Sequence, residues 1–337
     1  MTWATQTVRR VSRHKALTSI AAVALLAAAG AAWMARQKAD LQRAVQVELR
    51  EKAALQVKAR ADLREKSALF LDAALSLRRA GVSMQKAERD YLPRLRSAVA
   101  EADRVDPGRA EPHWRLGRLC RALMRFDEAL AAQERALAFE PAYATALYER
   151  AVLGAREFAT RLTALREAAI QQEGARLAQA GKLGSGVDRE IQLRLPSDAL
   201  LEKADGAIAD LHARVAGDLA ALERAAARSD LSAAQLACAR GLALAYGPEP
   251  EQARAAARTQ LEEALAGDPA LEEAYEALAH IGGAAKEWDA VASVLARGLE
   301  VDRGYVPFWR GLGVARHRCR RWPRRSATST RRSPWTR

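Results

Sequence analysis

The chain has 337 residues, enough for two or more domains, with 54 Lys and Arg against 41 Asp and Glu, a net charge of +13, three cysteines and few aromatics. The excess charge sits at the ends: residues 1–15 carry four bases and no acid, residues 316–337 carry nine arginines and no acid, and the body between them balances at 41 bases against 41 acids. A neutral body offers no stripe for tracking phosphates, which argues against nucleic acid as a partner, and abundant Ala and Leu without period-2 β-branched runs predict an all-α chain.

In chain order, a basic segment (1–15) precedes Ala16–Ala35, which holds no charged residue and includes Ile20, Val23, Leu25, Leu26 and Trp33. A 20-residue helix is about 30 Å long, the thickness of a bilayer core, so 16–35 reads as one transmembrane helix contacting the lipid bilayer. A cleaved secretory signal is the rival reading, with Ala27, Ala29 and Ala31 as small residues for a cleavage site. The length of the apolar run and the interfacial position of Trp33 favour the anchor. Lys and Arg flank the span on both sides and leave its orientation open; a cytoplasmic amino terminus with the repeats extracytoplasmic is preferred.

Residues 36–80 lack Gly and Pro and predict a long juxtamembrane helix, with Leu41, Val45 and Leu49 four residues apart among charges. Such a helix suits either a homodimer through a coiled coil or a charged stalk whose apolar side packs on the first hairpin. Gly81 marks the first break, and Met84–Pro107 has the character of the second half of a degenerate unit.

Residues 81–155 then carry a repeat. Asp106-Pro107 and Glu140-Pro141 place two prolines 34 residues apart, and Asp268-Pro269 closes a later helix in the same way. Counted from Ala110, Leu116 and Gly117 fall at positions 7 and 8, Phe126 at 17, Ala129 at 20, Ala136 at 27 and Pro141 at 32. Small residues at 8, 20 and 27 let helices approach, large ones fill the gaps, and the proline ends the second helix. This segment resembles the tetratricopeptide (TPR) family, which implies a TPR-type α-solenoid of helical hairpins.

The next unit opens with Leu147, Tyr148 and Ala151, and its second half loses the motif. Residues 156–228 read as an inserted long helical hairpin, broken by the polar stretch Gly181–Asp198 and returning through Leu211, Val215, Leu219 and Leu222. Residues 229–322 hold further units in register from Cys238, Glu272 and Val306. The tail 323–337 contains no Leu, Ile, Val, Glu or Asp; it is expected to be a basic disordered tail, or the product of a shifted reading frame that leaves the last repeat half-built.

No motif for catalysis, cofactor or metal appears: the five histidines form no i, i+4 pair, the cysteines are far apart, and no P-loop or nucleophile elbow is present, so neither enzyme activity nor a cofactor is expected. The TPR resemblance implies instead a scaffold that binds a protein or peptide partner in a concave groove lined by positions 2, 5, 9 and 12 of each first helix. Here those are Glu111, Trp114, Arg118 and Arg121, then Tyr148 and Val152, then Glu273, Glu276 and His280. An aromatic between arginines suits an acidic or aromatic peptide. The chaperone-type carboxylate clamp is not matched, since its Lys and Asn positions hold Trp114 and Arg118. A second resemblance is architectural. Arg13-His14-Lys15, the 16–35 span, the stalk and degenerate TPR units look like the region that follows the kinase domain in bacterial membrane serine/threonine kinases, which implies a sensor or regulatory region without its catalytic half.

Overall fold

The computed structural model describes residues 3–82, 84–179, 206–226, 229, 231–247 and 250–321. The side chains of residues 1–24 lie outside that description, as do the expected polar break at 181–198 and the basic tail 323–337. The chain divides into two units, Met1–Asp62 and Leu63–Arg337.

The first unit is a single helical run, the greater part of α1 (Trp3–Arg79). Its apolar residues Leu41, Val45, Leu49, Leu55 and Val57 stand exposed. Among the described residues no helix is long and apolar enough to cross a membrane, and of the expected span 16–35 the side chains of 16–24 are not described.

The second unit begins with the last turns of α1 and continues through α2 (Met84–Val105), α3 (Ala110–Ala122), α4 (Phe126–Phe139), α5 (Ala144–Gln179), α6 (Gly206–Ala226), α7 (Ala233–Ala245), α8 (Pro250–Gly267), α9 (Glu272–Ala284), α10 (Trp288–Val301) and α11 (Val306–Arg321). No strand occurs among the described residues. The helices pair as hairpins, α3 with α4, α5 with α6, α7 with α8 and α9 with α10. The first helices also stack on one another, α3 on α5, α5 on α7, α7 on α9 and α9 on α11, while each second helix packs on the first helix of the next pair. This is the arrangement of a TPR-like solenoid. The long pair α5 and α6 occupies the place of one hairpin, with α5 leading in beside α3 and α6 leading out beside α7.

Local chemistry explains the turns. Gly81, Met124 and Lys286 all adopt positive φ, at 77°, 63° and 60°, one after each of α1, α3 and α9. At each, the following amide reaches back five residues, Val82 to the Leu77 carbonyl, Arg125 to Cys120 and Glu287 to Gly282, at 2.9–3.0 Å. That is the left-handed helix stop, which satisfies carbonyls the ending helix leaves free. The second helices end differently. Asp268 and Asp302, 34 residues apart, each accept an amide two residues on, from Ala270 at 2.9 Å and Gly304 at 3.1 Å, so the side chain itself builds the turn into the next hairpin.

The core lies between the helices. Ala257, Leu261 and Ala264 of α8 are fully buried, and a Cβ at Gly241 of α7 would stand 2.7 Å from Leu261 Cγ, so only glycine permits this approach. The structure starts α7 at Ala233, under a capping box formed by Ser232 and Gln235. The expected origin at Cys238 is therefore the sixth residue of the helix, because the turn after α7 and the start of α8 are longer than in the α3–α4 hairpin. Counting back from Pro269 registers the second helix only.

Candidate functional site: the inner face

The first helices of the hairpins face one another around a polar cavity of about 260 Å³, walled by Arg78 and Arg79, Arg118 and Arg121, and Glu149 and Glu272 among others. Arg121, at the end of α3, is the centre of its charge network. Its Nη1 donates to Glu273 at 3.1 Å and its Nη2 to Glu149 at 3.4 Å, while its Nε lies 2.7 Å from Glu149 Oε2 without hydrogen-bond alignment. Tyr148 is buried and its hydroxyl donates to Glu273. Further along, Arg156 donates to Glu276 at 3.1 Å and to the Tyr305 hydroxyl at 3.4 Å, and that hydroxyl donates to Glu276 at 3.0 Å.

Burial and pairing compete at each group. Burial alone would lower the Arg121 pKa, but Glu149 and Glu273 together raise it well above its ordinary value. The carboxylates divide. Burial pushes Glu149 and Glu276 up despite Arg121 and Arg156 beside them, whereas for Glu273 Arg121 and the Tyr148 hydroxyl overcome burial and hold it down. The geometry agrees with that division, since Glu273 receives aligned hydrogen bonds and Glu149 Oε2 has none.

Six groove positions taken from the sequence thus sort into three environments. Arg121, Tyr148 and Glu276 are inside the network. Trp114 and Arg118 stand at its edge: the Arg118 guanidinium lies 5.8 Å from the Trp114 ring, the ring meets Tyr143 edge-on at 6.2 Å, and the indole Nε1 is buried without a hydrogen-bond partner. His280 packs its ring on Tyr246 at 5.0 Å. Of the others, Val152 is buried and Glu111 accepts from Arg115 at 2.7 Å and from Arg64 at 3.0 Å. Sequence reasoning missed Arg78, Glu149, Arg156, Glu272, Asp302 and Tyr305. Position 31 of a repeat, where Asp302 matches Asp268, is the one signal that pointed to any of them.

Cys120, at 1 % exposure, has its thiol pushed up to about 11 by burial, and Cys238 is raised further, so neither is a ready nucleophile. Among the described residues no group of His, Cys, Asp and Glu is arranged to hold a metal ion.

No family model matches the sequence, and no curated protein matches it. Among solved structures the chain is similar to a thermophilic TPR protein of Thermus thermophilus, at 23% identity over 62% of this chain and 99% of that one, with a TM-score of 0.34. It is also similar to YrrB, described as a TPR protein with an unusual peptide-binding site (15% identity, 68% and 86% covered, TM-score 0.29), and to the TPR domain of P58(IPK) (15% identity, 81% and 80% covered, TM-score 0.30). Overlaps this low say nothing of ligand or partner.

Proposed function

We propose that this protein is a TPR-type scaffold that holds a protein or peptide partner at the edge of its inner face, without catalysis of its own. The observation that carries the reading is the Trp114–Arg118 pair. A partly exposed guanidinium lies 5.8 Å from the centre of the indole ring, so the pair presents a cation and an aromatic surface together. A peptide carboxylate pairs with the cation and an aromatic side chain of the peptide packs on the ring. Residues 16–35 are proposed to anchor the chain in a membrane as a single pass, on the strength of their length and lack of charge, and the repeats are proposed to lie on the extracytoplasmic side with the short basic amino terminus in the cytoplasm.

The groove is tested by selecting peptides from a random display library on the full chain and comparing wild type with Trp114→Ala and Arg118→Ala. Selected peptides are expected to be rich in acidic and aromatic residues and to lose roughly tenfold or more in affinity for either variant, as hot-spot truncations do. Equal binding to all three proteins removes the assignment. Mass spectrometry of the mature amino terminus checks the anchor, since a new terminus near Ala31 means a cleaved signal.

A further inference from the structure

Arg78 is buried at 3 % exposure at the end of α1, yet its two carboxylate partners come from α9 and from the turn after α10. Its Nη2 contacts Glu272, 194 residues away, and lies 2.8 Å from Asp302, itself buried. Its Nη1 donates to the Ala122 carbonyl at 3.2 Å, and its guanidinium carbon stands 5.1 Å from the Tyr305 ring centre. Backbone closes over the same place: the Arg303 amide donates to the Arg79 carbonyl at 3.4 Å, and a Cβ at Gly304 would collide with the Arg78 carbonyl. Two carboxylates and a carbonyl around the two Nη groups, with an aromatic ring beside them, suit the forked end of a guanidinium better than a single ammonium, although Arg78 Nε and Asp302 Oδ2 are buried without an aligned hydrogen-bond partner.

We infer that Glu272, Asp302, Tyr305 and the Ala122 carbonyl form a guanidinium-binding site which the chain fills with its own Arg78, and that this plug is a clasp closing the two ends of the solenoid over the ionic inner face. When Arg78 leaves, the turn at Gly81 parts from the loop 302–305 and the inner carboxylates become accessible. The occupant is the chain's own Arg78, so the inference is independent of which peptide the groove takes. Its test uses no partner, so it can fail while peptide capture succeeds, and the reverse.

The test is hydrogen exchange by mass spectrometry on the full chain. In wild type, the amides of 303–306 are expected to exchange through an opening that leaves α9 and α10 protected; exchange of both only together overturns the clasp. In Arg78→Ala, segments 79–82 and 303–306 are expected to exchange roughly tenfold faster or more while α10 is unchanged, as for a local opening. Millimolar methylguanidinium should restore protection to this variant and methylammonium should not. Unchanged exchange in Arg78→Ala, or equal rescue by both cations, overturns the assignment of a guanidinium site.

Discussion

The contact between α7 and α8 and the inner face are both buried, yet they are made of opposite materials. Between α7 and α8 the contact is Gly241 against Leu261, with Ala257 and Ala264 alongside, all apolar and all within a few turns of one another in sequence. On the inner face the buried groups are arginines, glutamates and tyrosines, and beside neighbouring-helix pairs 28 and 29 residues apart (Arg121–Glu149, Glu276–Tyr305) it holds pairs that span 120 to 194 residues. The first region obtains its stability from close packing, which a single methylene can disturb. The second removes charges from water and is favourable only while every partner is present. The hairpins therefore set the repeat, and the ionic face fixes how the ends of the solenoid meet.

The largest test of this contrast is Arg121→Leu. It keeps bulk at the position but leaves Glu273 buried without its cation and Glu149 with only Arg118, 3.9 Å away. A loss of about 4 kcal/mol is expected, as for breaking one side of a buried ion pair, read from urea unfolding at unchanged slope. A variant as stable as wild type would mean that the inner face is wet and that its charges are solvated individually. Leu261→Ala probes the other material. Fully buried against Gly241, Leu261 leaves a cavity the helices cannot close, and about 3 kcal/mol should be lost. Should Leu261→Ala cost much less than Arg121→Leu, the ionic face, and not the hairpin core, would dominate the fold's stability.

The same contrast explains what the sequence revealed. Pro141, Gly117, Ala129 and Ala136 announced a hairpin because their spacing reflects contacts made within one 34-residue unit. Arg78 meeting Asp302 was not legible, because that contact depends on the summed rotation of all intervening hairpins, including the extended pair α5 and α6. The groove positions were legible as a face but not as a network. Periodicity places Arg121 and Glu273 on inner sides of their helices, while only superhelical pitch decides that they touch. At α7 local reasoning failed differently: counting from Pro269 registered α8 and missed the longer turn before it.

A smaller, stabilising effect sharpens the account of the hairpin turns. Lys286 is exposed and held at φ 60°, a conformation that costs a residue with a Cβ about 1 kcal/mol. Lys286→Gly should therefore stabilise the chain by about 0.5–1 kcal/mol, measured as a rise in Tm, because it removes strain without removing a packed side chain. Met124 sits in the same conformation after α3 but packs against the core, so Met124→Gly should gain less. Equal gains at both sites would show that Met124 contributes no packing.

The finest test divides the inner face against itself, using Glu273 and Glu276 on α9. Burial, working against Arg156 and the Tyr305 hydroxyl, leaves the folded pKa of Glu276 above its unfolded value. The folded chain therefore binds this proton more tightly than the unfolded chain, and the stability it confers is full below the unfolded carboxyl value and is lost as pH rises through the folded one. Glu273 is the reverse: burial is outweighed by Arg121 and Tyr148, its folded pKa is held down, and its contribution is present above the unfolded value and lost as pH falls through the folded one. Across a pH series of unfolding curves, wild type should gain on Glu276→Gln and lose against Glu273→Gln as the solution is acidified. For Glu276→Gln the change should stay under about 1 kcal/mol, the scale of exchanging one hydrogen-bonded group for another. Slopes of the same sign would mean that Arg121 does not discriminate between the two carboxylates, and that the inner face behaves as a diffuse pool of charge and not as a set of defined pairs.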